Sequence, residues 1–336
     1  MTPPSEACPD PVAPGARPLA HGRAWLVRGL KLVVAAAILA YLFHVVPFGD
    51  VWAQMKQADP GWLAAAFAAA LLMQVGIAHR LRRLIAAQGV ELSAYQVFEI
   101  NLSTLFYGLF LPGGNFTGIA IRFYRLASAN QHLLNTGVAL FFDRLLSTFC
   151  LLVVGIGFWF VAWPEDGGVA LIAMTFAAVA FAGLTLAVFA PPSVPLLGTL
   201  QRLMQRFGGR STDKLRHAIG AVWSLPRRTL GFAFVITLLT HGLGIAAYWC
   251  ILRGMGLPVG WVTIAWVRSA IILATMIPLT PSGVGLREGA TLLLLTPHGV
   301  AEDEALAFSL LIFGVTVLAV GLIGGLLETR RAFASR

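Results

Sequence analysis

Six apolar runs, 28–46, 61–78, 133–161, 168–190, 230–252 and 305–327, meet or approach the roughly 20 residues that a helix needs to cross a hydrocarbon layer. Lipid offers no hydrogen bonds, so each run must satisfy its own backbone, and helices do this within one segment. The fold class that follows is an all-α polytopic membrane protein with six transmembrane helices. Composition agrees: 58% of the 336 residues are hydrophobic and 12% are charged, against about a quarter charged in a soluble domain. That is too little polar surface for a cytosolic enzyme, a disordered scaffold or a secreted disulfide domain. Cys8, Cys150 and Cys250 form no CxxC or Cys/His cluster, so neither structural zinc nor a redox pair is expected.

Two further apolar stretches are interrupted. Stretch 97–125 is broken by Leu111-Pro112-Gly113-Gly114, and stretch 261–297 by Pro278-Leu279-Thr280-Pro281-Ser282-Gly283. Proline removes a backbone donor and glycine loosens the helix, so each break frees polar groups that must face protein or a wet cavity.

The basic residues fix an orientation. Arg17, Arg23, Arg28 and Lys31 precede the first run, and Arg80, Arg82 and Arg83 follow the second. Arg122 and Arg125 follow the first broken stretch, loop 191–229 carries seven Lys/Arg, and Arg330, Arg331 and Arg336 end the chain. Together these are 19 of the 24 Lys/Arg, and the positive-inside rule puts them in the cytoplasm with both termini. The count closes only if each broken stretch returns to its starting side, as a re-entrant hairpin with its tip at Pro112, Gly113 and Gly114 or at Pro281, Ser282 and Gly283. Each half then reads span, span, hairpin, span, over 28–161 and 168–327. Three full spans per half invert the second half relative to the first, the pattern of secondary transporters with sites near the midplane. Residues 1–27 read as a disordered cytoplasmic tail, 28–330 as one membrane domain, and loop 191–229 either as a basic amphipathic segment on the inner leaflet or as a connector whose charges only fix topology.

Ionisable residues inside hydrocarbon are expensive and mark sites by default. Asp143 and Arg144 sit inside the third full span, and Arg287 and Glu288 just past the second tip. Neighbouring helical residues point in different directions, so neither adjacent pair is expected to satisfy itself. A cationic site of Arg122, Arg144 and Arg287 would hold an anionic headgroup through the planar guanidinium fork. Asp143 and Glu288 would hold the arginines when it is empty, and the half-helices beyond Gly114 and Gly283 would aim their N-terminal dipoles at the anion. The alternative is a set of internal ion pairs that only fix helix packing. Glu99 and Arg268 are further candidates, His241 reads as a packed, hydrogen-bonded histidine, and Gly314, Gly321, Gly324 and Gly325 form a stripe for close helix packing. No Walker loop, GxSxG, HExxH or EF-hand is present, so no cofactor, metal or catalytic residue is expected.

Two stretches carry a family likeness. One is Leu111-Pro-Gly-Gly-Asn-Phe-Thr-Gly-Ile-Ala-Ile-Arg122 with Asp143-Arg144. The other is Ile277-Pro-Leu-Thr-Pro-Ser-Gly-Val-Gly-Leu-Arg-Glu288-Gly, with Gly299-Val300 and Ala305-Leu306. They resemble the flippase-like membrane domain of the lysylphosphatidylglycerol synthase transmembrane family. In that family the domain is associated with moving a modified lipid between leaflets, fused to a soluble aminoacyl transferase or on its own. The resemblance implies a stand-alone membrane domain here, with no synthase activity carried over. Ile119 and Ser147 stand where relatives often carry acids, which bears on headgroup preference. The expected function is translocating or binding an amphipathic lipid with a polar, anionic headgroup, in a bacterial inner membrane. The alternative is a non-transporting accessory subunit for a lipid-modifying or polyisoprenoid- or hopanoid-linked pathway. The expected partners are membrane lipids, an anionic phospholipid or a polyisoprenoid, and a second copy or a lipid-modifying enzyme; nucleic acid is not among them.

Overall fold

The computed structural model describes residues 48–87, 89–111, 115–128, 133–163, 225–277, 280 and 283–334, with scattered positions between 168 and 179. The expected first span 28–46, the tail 1–27, loop residues 191–224 and the tip residues Pro112, Gly113, Gly114, Pro281 and Ser282 lie outside the described residues, as does most of the expected span 168–190.

Every described element is helical. In chain order they are α1 (Phe48–Gln57), α2 (Pro60–Ala86), α3 (Ala94–Phe110), α4 (Asn115–Ser128), α5 (Leu133–Ala162), α6 (Arg227–Gly254), α7 (Trp261–Met276), α8 (Leu286–Leu295), α9 (Glu302–Ile312) and α10 (Ala319–Ala334). A π-helical segment, Phe313–Leu318, joins α9 to α10. Among the described residues, four stretches are long and apolar enough to cross a membrane: Pro60–Ala86, Leu134–Ala162, Arg227–Gly254 and Glu302–Arg331. Between 28% and 44% of the most apolar window of each is buried, so most of that apolar surface faces outward, as a helix solvated by lipid requires. The chain is a membrane protein.

Local chemistry sets the helix ends. Asp59 caps α2 by accepting from Gly61 N at 2.6 Å, with Pro60 in the first turn. Ser93 and Gln96 exchange hydrogen bonds of 3.1 and 2.8 Å in a capping box at the start of α3. The expected span 61–78 stops too early: α2 runs to Ala86, with Leu81, Leu84 and Ile85 buried. Arg80 therefore does not lie in a loop after the span. It is 2% exposed inside the bundle.

Small residues set the seams. A Cβ on Gly324 of α10 would meet Leu102 O of α3 at 2.1 Å, one on Gly321 would meet Leu109 at 2.6 Å, and one on Gly325 would meet the Phe106 ring at 2.6 Å. Gly314, the fourth member of the expected stripe, has no neighbour within 4 Å of such an atom and takes no part; it lies in the π-helical segment instead. A Cβ on Gly118 would stand 2.7 Å from Thr104 O, so α4 folds back along α3. Packing partners come in matching pairs: α2 lies on α6, α3 on α10 as α7 on α5, and α4 on α5 as α8 on α9.

The two ends of the bundle differ. At one, Trp249 makes edge contacts with Trp62 (5.6 Å between centroids) and Trp261 (5.8 Å), and Asp59 N donates to Gly254 O at 2.8 Å. At the other, Arg83 stacks on Phe232 at 5.1 Å. Glu328 there grips both terminal nitrogens of Arg125 and accepts from Ser103 Oγ at 2.9 Å.

Candidate functional site

Asp143 lies about 15 Å along α5 from its start at Leu133. Its side chain is 6% exposed, and its Oδ1 accepts from Arg80 Nε at 2.7 Å. Arg80 Nη1 donates to Thr237 Oγ1 at 3.0 Å, and that hydroxyl donates in turn to Ala233 O at 2.6 Å. One buried ion pair thus ties α2, α5 and α6 together. Asp143 holds Arg80, not Arg122 or Arg144, as the expected pairing had it. The reason is geometric: Arg80 projects from α2 straight into the α5–α6 seam, where Thr237 completes its coordination.

Arg122 and Arg144 remain beside this pair. Arg122, on α4, lies within electrostatic reach of Asp143, Arg80 and Arg144. Its Nε and Nη2 are buried and have no hydrogen-bond partner among the described residues. These two nitrogens form the side-on edge that grips a carboxylate or phosphate with parallel bonds. Arg144 points outward from the protein surface, and Asp143 and Arg80 are its electrostatic neighbours. Among the described residues, the buried guanidinium groups of Arg80 and Arg122, with exposed Arg144 beside them, therefore share one carboxylate, and the cluster carries an excess of positive charge.

Arg287 and Glu288 form a second, separate group. Contrary to the expectation for neighbours on a helix, they pair with each other. Glu288 folds back over the first turn of α8, where its Oε2 accepts from Gly285 N at 2.6 Å. That swings its Oε1 to the rim of the helix, within 3.1 Å of Arg287 Nε and in contact with Nη2. Ser309 of α9 joins them, 3.3 Å from Arg287 Nε and 3.4 Å from Glu288 Oε1, and the Phe313 ring lies 4.6 Å from the guanidinium. The helix begins at Leu286, after two glycines with φ of +72° (Gly283) and +84° (Gly285). Only glycine adopts that conformation without strain. Its N-terminus is closed by its own carboxylate, so the expected free dipole end at the second tip is already occupied.

Sequence reasoning missed Arg80, although the apolar period through Leu81, Leu84 and Ile85 marks the helix as continuing past it. It also missed Asn101, which is 4% exposed with neither side-chain polar atom partnered among the described residues. His241 is packed as expected: its Nε2 lies 2.9 Å from Ser147 O, and because a carbonyl can only accept, that nitrogen carries the proton. Among the described residues no group of three or more His, Cys, Asp or Glu could hold a metal ion.

The family profile described as lysylphosphatidylglycerol synthase TM region matches residues 29–324. Among curated proteins, none matches the sequence.

Proposed function

Since the chain belongs to the lysylphosphatidylglycerol synthase TM region family, which gives it a membrane-lipid-related role, we propose that it binds an amphipathic lipid through an anionic headgroup and carries that headgroup across the bilayer. The observation that carries this reading is the buried fork of Arg122, unpartnered among the described residues and set among Arg80, Arg144 and the Asp143 carboxylate. A protein that needed these charges only for packing would pair them, as it pairs Arg287 with Glu288. No catalytic residue enters this reading, and binding alone is the chemistry asked of the site.

The architecture proposed with it has six transmembrane helices, two re-entrant hairpins and an inverted repeat. Matched packing supports it: α3 lies on α10 as α7 lies on α5. The same device recurs at both seams, with Gly324 against the backbone at Leu102 and Gly155 against Ser269. Orientation follows the charges, with the arginine-rich end and both termini in the cytoplasm of a bacterial inner membrane and the tryptophan-rich end outside.

The test is reconstitution into vesicles containing labelled phosphatidylglycerol, followed by leaflet exchange. Arg122→Lys keeps the charge and loses the fork, so exchange should fall while the protein still inserts. Normal exchange per folded molecule in Arg122→Ala removes this residue from the site. Wild-type protein that binds the lipid without exchanging it is an accessory subunit instead.

A further inference from the structure

Arg268 of α7 is 5% exposed, and its Nε and Nη1 have no hydrogen-bond partner among the described residues. Its guanidinium lies flat against α6. A Cβ on Gly244 would stand 2.1 Å from Nη2 and 2.5 Å from Cζ, so the absence of a side chain there is what admits the group. The Tyr248 ring, one turn further along α6, lies 5.5 Å away. A full positive charge removed from water with only a ring face against it loses far more hydration than that contact returns. Its position is nonetheless fixed by glycine and ring.

Arg268 is also connected to the cluster described above. Thr237, His241, Gly244 and Tyr248 fall on one stripe of α6 at helical spacing. Thr237 holds Arg80, His241 lies within electrostatic reach of both Arg80 and Arg268, and Tyr248 lies within reach of Arg268, Arg287 and Glu288. From Thr237, which holds Arg80, to Gly244, against which Arg268 lies, is about 10 Å along the helix. One oxyanion cannot hydrogen-bond at both places at once, so a single headgroup anion would occupy the two cationic groups in turn.

We propose that Arg268 is a second anion subsite, taking the phosphate or carboxylate of a lipid headgroup after it leaves the Arg122 cluster, with α6 as the polar rail between them. This rests on the lipid-handling reading above. It adds a site in the second half of the chain and a chemical class, a headgroup with at least one oxyanion that can accept a guanidinium hydrogen bond from Arg268.

The experiment is thermal unfolding of the purified full chain in detergent, titrated separately with phosphatidylglycerol, diacylglycerol and inorganic phosphate. The chain is tested as wild type, Arg268→Met, Arg268→Lys and Arg122→Met. Phosphatidylglycerol is expected to raise the wild-type Tm and diacylglycerol to leave it unchanged. Arg268→Met without ligand should unfold at or above the wild-type temperature, because an unpaired buried charge has been removed, and its apparent affinity for phosphatidylglycerol should fall about tenfold. Arg268→Lys should also weaken binding, and it decides the matter should the methionine variant not fold. A phosphate shift seen in wild type and lost in Arg268→Met identifies the bare anion as sufficient, whereas a shift with phosphatidylglycerol alone that is weakened in Arg268→Met assigns the subsite to the lipid headgroup. Both put the anion on Arg268. The proposal is overturned if the Arg268 variants bind with wild-type affinity, or if they lower the ligand-free Tm and leave the ligand shift intact. Loss of binding in Arg122→Met under the same conditions would leave the first reading standing alone. A wild type unmoved by any anion removes both.

Discussion

Replacing Asp143 by Asn tests the electrostatics of the α2–α5–α6 seam directly. The change is nearly isosteric and keeps an oxygen that can accept from Arg80, so packing is preserved and only the charge is lost. The Nε–Oδ1 separation is 2.7 Å with side chains 3% and 6% exposed. At an effective dielectric of about 20, Coulomb attraction at that distance is roughly 6 kcal/mol. The retained amide hydrogen bond and local relaxation return part of this, which agrees with the ~3–5 kcal/mol that breaking one side of a buried pair usually costs. In detergent that corresponds to a fall in Tm on the order of 10 °C. Arg80 and Arg122, with Arg144 nearby, would then lack the Asp143 counter-charge, so added phosphatidylglycerol should recover more of the lost Tm in Asp143→Asn than it adds to the wild type. Paired replacement, Arg80→Met with Asp143→Leu, removes both charges and should cost less than Asp143→Asn alone. An Asp143→Asn protein that unfolds like the wild type, or that anionic lipid does not rescue, refutes the reasoning.

Other outcomes follow from the seams and ends. Gly324→Ala drives a methyl into the Leu102 carbonyl of α3 and should cost about 1–3 kcal/mol, whereas Gly314→Ala meets nothing within 4 Å and should be neutral or stabilising; unfolding temperatures of the two compared side by side decide it. Glu328→Gln removes the charge that clamps Arg125 and Ser103, with an expected loss of about 1–3 kcal/mol and a Tm that no longer depends on salt as the wild type's does. Single cysteines at Trp163 and Glu302 should react with impermeant reagent from outside the cell, and those at Glu91 and Arg330 only after permeabilisation; the reverse labelling would invert the orientation proposed here.

The long helices were legible because each needs only an apolar run, and runs 133–161 and 230–252 differ by a few residues from α5 and α6. Arg80 was not legible, for an instructive reason. Counting arginines by loop assumes that a basic residue after an apolar run has reached water, and Arg80 instead turns back into the bundle to meet Asp143 from a distant part of the chain. The self-pairing of Arg287 and Glu288 was hidden for a different reason. The rule for neighbours on a helix describes its middle, and at a first turn the carboxylate leaves its usual direction to reach the amide of Gly285. The glycine stripe was read correctly at Gly321, Gly324 and Gly325, where spacing alone selects one face. It was misread at Gly314, because the phase changes before that residue's face could be assigned.

That change of phase has a consequence for how this helix can vary. The π-helical turn between Phe313 and Leu318 is wound more loosely than an α-helix, so each residue it absorbs turns everything downstream by about 100°. Upstream of it, Ser309 faces Arg287; downstream, Gly324 and Glu328 face α3 and α4. The segment acts as a splice that lets one continuous rod present two independently aimed faces. Deleting a single residue from it, Thr316 for example, would leave composition and span length almost untouched. It would nevertheless rotate Glu328 off Arg125 and push side chains, in place of glycines, against the backbone at Leu102. Insertions or deletions at this turn should therefore be far less tolerated than point changes within it.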